Sequence, residues 1–332
     1  MGQINSEEVY ITPPNCTNID TLMKRYYLPV MYSIIFIVGL VGNIISIMIY
    51  VFKMRPWKSS SIIMLNLAIS DLLYVLSLPS FIYYYINQDS WTMGEFMCKL
   101  SRFVFHFNLY GSILFLTCLS IFRFIVVVHP LRVAQVQKRK WGILACVIVW
   151  VITAAELTPT LLMVNLIDVN HTMQCLDFAS NHRETVWWYG LFLTILGYLI
   201  PLVIVCACYC RIVQALGKGP HVQSACRVKA RKLIVVILLV FILCYLPFHI
   251  LRILRVDTRR PGVDCVTMRR VHAAYIITRP ITGLNTFFNL GLYTLAGDQF
   301  QQAFLSLFKS QQRFFMHAIN VEVIEKLPKP SL

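Results

Sequence analysis

Negative charge is scarce in this chain. Its 332 residues include 15 Asp and Glu against 30 Lys and Arg, and charged residues of both signs make up only 14%. Soluble domains carry about 25%. That poverty, with 58% hydrophobic residues, sets the chain apart from an ordinary water-soluble domain. Residues 1–20 have no apolar core, so no cleavable signal peptide is expected and the first apolar run serves as its own insertion signal. No internal repeat of the kind transporters carry is visible. No paired His/Asp metal constellation or nucleophilic serine motif appears, and the last apolar run has no lysine for a retinal Schiff base. An enzyme is therefore not expected, nor any cofactor beyond the sodium ion considered below.

What is present is apolar length. Seven runs stand out: Tyr26–Phe52, Ser59–Gln88, Phe103–Phe122, Trp141–Ile167, Thr185–Cys210, Leu233–Leu251 and Val271–Gly297. Each is long enough to cross a hydrocarbon core of about 30 Å as a helix, whereas barrel strands need only about 10 residues. Lipid cannot solvate an open sheet edge. The expected fold is an all-α membrane protein, a seven-transmembrane helix bundle.

Basic residues orient it. Loops 53–58, 129–140 and 211–232 hold thirteen Lys and Arg and no acid, while loops 86–99, 164–186 and 252–270 hold eight basic and seven acidic residues. The first set is read as cytoplasmic, giving a multi-pass plasma-membrane protein with its N-terminus outside. The net charge of +15 is mostly this topological signal, so the membrane is the partner and nucleic acid is not. One feature resists the rule. Six of the eight outer basic residues are Arg252, Arg255, Arg259, Arg260, Arg269 and Arg270.

Four of the eleven cysteines fall on outer segments: Cys16, Cys98, Cys175 and Cys265. An even number in an oxidising compartment implies two disulfides, with three pairings open. Two glycosylation sequons, at Asn15 and Asn170, are also outside. The opening MGQINS fits a myristoylation pattern, but the charge count and the Asn15 sequon oppose it.

Ionisable residues inside spans mark function. Asp71 is the only charge in the second run. Asn43, Asn108, Ser112, Asn285 and Asn289 can face it, forming either a sodium site or water-filled polar glue between helices. Arg123 closes the third run, where an interfacial anchor is the simpler reading. In the outer third, Arg102 and His106 share one helix face, as do His249 and Arg252. Arg279 stands in the seventh run one turn after Tyr275, and Tyr32 and Tyr85 lie near the outer ends of the first two. Such guanidinium groups either snorkel to headgroups or turn inward, where they repel one another unless an anion sits among them. Inward guanidinium forks suit carboxylate or phosphate.

The ordered motifs resemble the class A (rhodopsin-like) G-protein-coupled receptors over residues 25–308. GLVGN carries Asn43, NLAISDLL carries Asp71, Cys98 opens the third run, Trp150 marks the fourth, Pro201 and Tyr209 the fifth, FILCYLP the sixth and NLGLY the seventh. GDQFQQAFLSLF resembles an amphipathic eighth helix. The implied division is an extracellular N-terminus (1–25), the bundle (26–297), helix 8 (298–309) and a cytoplasmic tail (310–332). FHFNLY, SIFR and LPFHILR are similar to the dicarboxylate-sensing members beside the nucleotide-receptor branch. That resemblance implies disulfides Cys98–Cys175 and Cys16–Cys265. It implies an anion pocket of Arg102, His106, Arg252 and Arg279 with hydroxyls from Tyr32, Tyr85 and Tyr275, in which Arg252 is a ligand clamp and Arg255 an attracting charge at the rim; His249, on the helix face of Arg252, is counted with them. The implied ligand is a small dicarboxylate, 2-oxoglutarate first, with succinate, a nucleotide or an anionic lipid as alternatives. The implied partners are a heterotrimeric G protein of Gq or Gi type and arrestin. The implied switch runs through Ile113, Pro201 and Phe241 to Arg123, Tyr209, Tyr245 and Tyr293. Two family motifs are altered: Phe122-Arg123-Phe124 lacks the acid, and Asn289-Leu290-Gly291-Leu292-Tyr293 lacks the proline.

Overall fold

A computed structural model describes residues 19–169, 171–177, 183–218, 232–233, 235–296 and 299–306. Six helices are long and apolar enough to cross a membrane: α1 (Met23–Phe52), α2 (Ser59–Ile86), α3 (Gly94–Val128), α4 (Arg139–Met163), α5 (Arg183–Ala215) and α6 (Val235–Asp257). The seventh crossing is made by two shorter helices, α7 (Cys265–Gly283) and α8 (Asn285–Ala296). They meet at Leu284, whose N–H is shared between the carbonyls of Pro280 and Ile281. Pro280 and the charges of Arg269, Arg270 and Arg279 leave this crossing less apolar than the other six.

Several boundaries differ from the apolar runs, because a helix ends where its backbone turns and not where hydropathy falls. α3 and α6 extend beyond their runs, so Arg102, Arg123, Arg252 and Arg255 all sit on continuous helix. The end of the predicted fourth run is not helix. Val164 is extended, and Leu166–Val169 forms strand β1, antiparallel to β2 (Thr172–Cys175), with Leu166 opposite Cys175. Two prolines leave their mark one turn upstream. Pro201 and Pro247 supply no N–H, and the preceding turns widen: the N–H of Ile200 bonds the Ile195 carbonyl, and that of Leu246 bonds Phe241.

α3 runs through the centre, packed on α2, α4 and α5, while α6 lies between α5 and α7, and α1 closes on α2, α7 and α8. The outward faces are apolar, as Ile37, Val41, Leu76, Val147, Val151, Val203 and Ile250 show. The interior instead holds buried Asn43, Asp71, Asn108, Arg102, Arg252 and Arg279. That inversion suits a lipid surround, where polar groups must find partners inside the protein.

Candidate ligand site

The site lies at the end of the bundle that carries the β hairpin. Cys98 at the start of α3 is disulfide-bonded to Cys175 at the end of β2, with Cα atoms 5.7 Å apart. The Trp91 N–H bonds the Met173 carbonyl at 2.7 Å and the Leu176 N–H bonds Asn165 at 3.0 Å. These ties fix the backbone on both sides of Cys175. They bring Asp177, two residues on, into the bundle, where it is only 5% exposed.

Asp177 is the hub of the arrangement. Its Oδ2 accepts from Arg279 Nη2 at 2.9 Å and from the Tyr275 hydroxyl at 3.2 Å. Its Oδ1 is 3.9 Å from His106 Nε2 and accepts no hydrogen bond. Burial alone would push this carboxyl up, but His106, Arg279, Arg102 and Arg255 around it hold it well below the usual carboxylate range. Arg279 also donates from Nη1 to the Tyr85 hydroxyl at 3.0 Å. Arg102 donates from Nη2 to the Cys175 carbonyl at 2.8 Å and lies over the Phe81 ring. His106 Nδ1 donates to the Arg102 carbonyl at 2.9 Å, which turns Nε2 toward the carboxylate. Tyr32 packs on Phe81 and Tyr85 and forms the back wall.

Arg255 is half-buried, its guanidinium 4.9 Å from the Tyr275 ring centroid with Nη1 buried. Arg252 is held between α3 and α5, within electrostatic reach of His106 and Tyr275. It is 1% exposed and donates to the Tyr110 hydroxyl at 2.7 Å, to Thr194 Oγ1 at 3.1 Å and to the Gly190 carbonyl at 3.2 Å. Arg255 stands one turn further along and about 60° round the helix; it reaches Tyr275 on α7, while Arg252 turns into the seam between α3 and α5. His249 shares that seam, stacked on Tyr198 with ring centroids 4.5 Å apart. Its Nδ1 donates to the Tyr245 carbonyl at 2.8 Å, and its Nε2 is buried without a hydrogen bond. Sequence reasoning did not single out Tyr110, Thr194 or Gly190. Tyr110 had a signal, standing one turn after His106 on the same face of α3.

Deeper in the bundle, Asp71 accepts from Asn108 Nδ2 at 2.9 Å and from Asn289 Nδ2 at 2.8 Å, and Asn108 also reaches Ser112 at 3.4 Å. Asn285 was expected to face Asp71. Its amide instead donates to the Tyr245 hydroxyl at 2.8 Å, because the break at Leu284 starts a new helix there. The Oδ1 atoms of Asn43, Asn285 and Asn289 are buried without hydrogen bonds. The Asp71 carboxylate with the spare Oδ1 of its partner Asn289 fits a hard cation or bridging water. Toward the opposite end, Tyr209 and Ser120 hydroxyls are 3.2 Å apart, and Tyr293 is buried edge-on to Tyr50. Phe241 meets Tyr245 edge-on, and Ile113 and Pro201 are buried. Arg123 is half-buried at the same end. Cys265 is disulfide-bonded, whereas Cys16, Asn15 and Asn170 lie outside the described residues.

The family model of the seven-transmembrane receptors (rhodopsin family) matches residues 42–293. The chain belongs to that family. It is similar to 2-oxoglutarate receptor 1 of Rattus norvegicus, 50% identical over 90% of this chain and 89% of the relative. The same receptor of Mus musculus is 48% identical over 88% and 87%. A purinoceptor of Homo sapiens is 40% identical over 86% and 78%. These relatives are receptors, not enzymes. The chain is thus a multi-pass G-protein-coupled receptor, of a family that takes a small ligand at one end and a G protein at the other.

Proposed function

We propose that this receptor answers a small dicarboxylate, 2-oxoglutarate before succinate, from outside the cell. One observation carries the reading: buried Asp177 is bonded by Arg279 and faced by His106, with Arg102 held at the Cys175 carbonyl two residues away and Arg255 over the Tyr275 ring. A site this positive favours a small, doubly charged anion. The hydroxyls of Tyr85 and Tyr275 and the ring faces of Phe81 and Tyr275 suit carboxylate oxygens and a short carbon chain. The names of the two rodent receptors support the choice of 2-oxoglutarate. A nucleotide is the second reading, supported by the similarity to a purinoceptor.

On this reading the N-terminus and the β hairpin face outward. A ligand stabilises whichever state it binds more tightly. Pulling α3, α6 and α7 together at the pocket would pivot α6 about Pro247 and move the Ile113, Pro201 and Phe241 packing. Arg123, Tyr209 and Tyr293 would then meet a G protein, of Gq type before Gi, with arrestin following. Asp71 and its neighbours would hold sodium in the resting state. Arg252, seated between α3 and α5, acts as a conformational strut that the ligand draws on indirectly. A dicarboxylate panel on wild type, Arg252→Ala and Arg279→Ala, read by G-protein activation at matched surface expression, tests this. Loss of response in Arg279→Ala supports the pocket, and unchanged potency in both variants removes it.

A further inference from the structure

Positive charge also gathers at the end of the bundle opposite the β hairpin. The loop between α1 and α2 carries Lys53, Arg55 and Lys58, and the start of α4 carries Lys138, Arg139 and Lys140; all six are exposed. Trp57 brings the two groups together. Its indole N–H donates to the Tyr50 carbonyl at 2.8 Å, which fixes the ring against the end of α1. The Arg55 guanidinium lies 4.9 Å from the ring centroid, and the Arg139 guanidinium lies 5.3 Å from the same ring. The backbone beneath them is tied as well. Ser59, the first residue of α2, is buried, with Oγ 2.7 Å from the carbonyls of both Val136 and Lys138. Its N–H donates to the Gln137 carbonyl at 3.3 Å.

Insertion topology asks for basic residues in such loops, but not for two of them on one ring. Like charges held together repel. Neither α2 nor α4 has an acid in its first turn, and among the described residues no carboxylate forms an ion pair with Arg55 or Arg139. Next to these charges the chain turns apolar surface outward: Phe52 at the end of α1 and Trp141 and Leu144 at the start of α4 are exposed. Guanidinium groups fixed beside lipid-facing hydrocarbon match a molecule with phosphates at one end and acyl chains at the other. We propose that Arg55 and Arg139, held on Trp57, bind the headgroup of an anionic phospholipid bearing phosphate monoesters, of the phosphoinositide class. The lipid bridges the α1–α2 loop and the start of α4, and the four lysines around it add attraction without direction. The site is remote from the anion pocket, so the inference stands apart from the ligand proposed there.

The test uses the purified full-length receptor in neutral detergent micelles, where membrane orientation does not enter. Fluorescent phosphatidylinositol bisphosphate is the probe. Its competitors are the unlabelled lipid, phosphatidylserine at equal total charge, and inositol trisphosphate as a headgroup without chains. Wild type should bind the probe saturably, and unlabelled phosphoinositide should displace it at least about tenfold better than phosphatidylserine or the soluble headgroup. Arg55→Gln/Arg139→Gln should weaken binding by about 30-fold or more. Lys53→Gln/Lys140→Gln removes the same charge from the same end and should cost at least about fivefold less. Trp57→Leu keeps both guanidinium groups but removes the ring that gathers them, so it should lose the preference over phosphatidylserine. If that variant does not fold, the exposed arginine and lysine pairs still decide the matter. Equal losses in the two double variants would reduce the site to diffuse attraction and overturn the proposal. So would equal displacement by phosphatidylserine, or no saturable binding at all. Displacement by the soluble headgroup as strong as by the lipid would overturn the membrane source and leave a site for free phosphates.

Discussion

Arg279→Gln separates what the pocket does for the fold from what it does for the ligand. The arginine makes two described hydrogen bonds, to Asp177 at 2.9 Å and to Tyr85 at 3.0 Å, and its guanidinium lies over the Tyr275 ring. Removing it leaves Asp177 buried with its main partner gone. Breaking a buried ion pair from one side costs about 3–5 kcal/mol. The Tyr275 hydroxyl and the remaining positive groups keep the cost near the lower end, so about 3 kcal/mol of stability should be lost. For the ligand, a charge-assisted hydrogen bond contributes about 1.5–3 kcal/mol. At about 1.4 kcal/mol per factor of ten, dicarboxylate potency should fall by roughly 10- to 150-fold. The double variant Arg279→Gln/Asp177→Asn removes both charges and no longer buries a stranded carboxylate. It should recover most of the lost stability and surface expression while failing to recover dicarboxylate potency. Thermal unfolding of detergent-solubilised receptor and concentration–response curves at matched expression provide the two readouts. If the single variant signals with wild-type potency at equal expression, Arg279 does not touch the ligand and the pocket assignment fails.

Other parts of the structure lead to further expectations. Cys98→Ser unties β2 from α3, so Asp177 and the Arg102–Cys175 contact lose their anchor; dicarboxylate response should disappear even in the fraction that reaches the surface, as a binding assay on sorted membranes would show. A Cβ at Gly142 would stand 2.7 Å from Ser59 Cα and 2.8 Å from its carbonyl oxygen, where the backbone cannot step aside, so Gly142→Ala should lose about 1–3 kcal/mol. Gly291→Ala meets nothing within 4 Å and should leave the melting temperature of the purified receptor unchanged. The Asp177 carboxyl sits below its ordinary range in the folded receptor, so its stabilisation is present above the unfolded value of about 3.9 and fades only as pH drops below that. The melting-temperature gap between wild type and Asp177→Asn should therefore stay level from neutral to mildly acidic pH and narrow only in stronger acid. Asp71→Asn should abolish any sodium dependence of agonist binding, measured as competition curves at low and high sodium; a dependence that persists would move the cation elsewhere.

Hydropathy was enough to find six helices, because a lipid-facing helix must be apolar over its whole length. It misplaced the ends, since Arg102 and Arg255 continue helices whose apolar runs have already stopped. It also absorbed Leu166 and Ile167 into the fourth helix, although both lie on β1. The family followed from ordered motifs such as NLAISDLL and LPFHILR. Composition could say that basic residues gathered at one end, but not how they partition. Arg252 and Arg255 look equivalent in PFHILRILRV, yet they reach different neighbours, because one helical turn and about 60° of rotation separate them. Asp177 was visible only as one acid among seven in the loops assigned to the outside. Its importance comes from the disulfide two residues before it, which decides where that acid points. Asn285 was grouped with Asp71 by span and depth, and the break at Leu284 reassigns it to Tyr245.

If the converging arginines form a site for a small dianion, the receptor must bind one without help from any downstream protein. Saturation binding of radiolabelled 2-oxoglutarate to membranes carrying this receptor is the sharpest check. Saturable binding is expected, displaced by succinate, displaced far more weakly by monomethyl succinate, and weakened by roughly 10- to 150-fold in Arg279→Gln/Asp177→Asn at normal expression. Absence of saturable binding in wild type, or equal displacement by the monoanion, would contradict it.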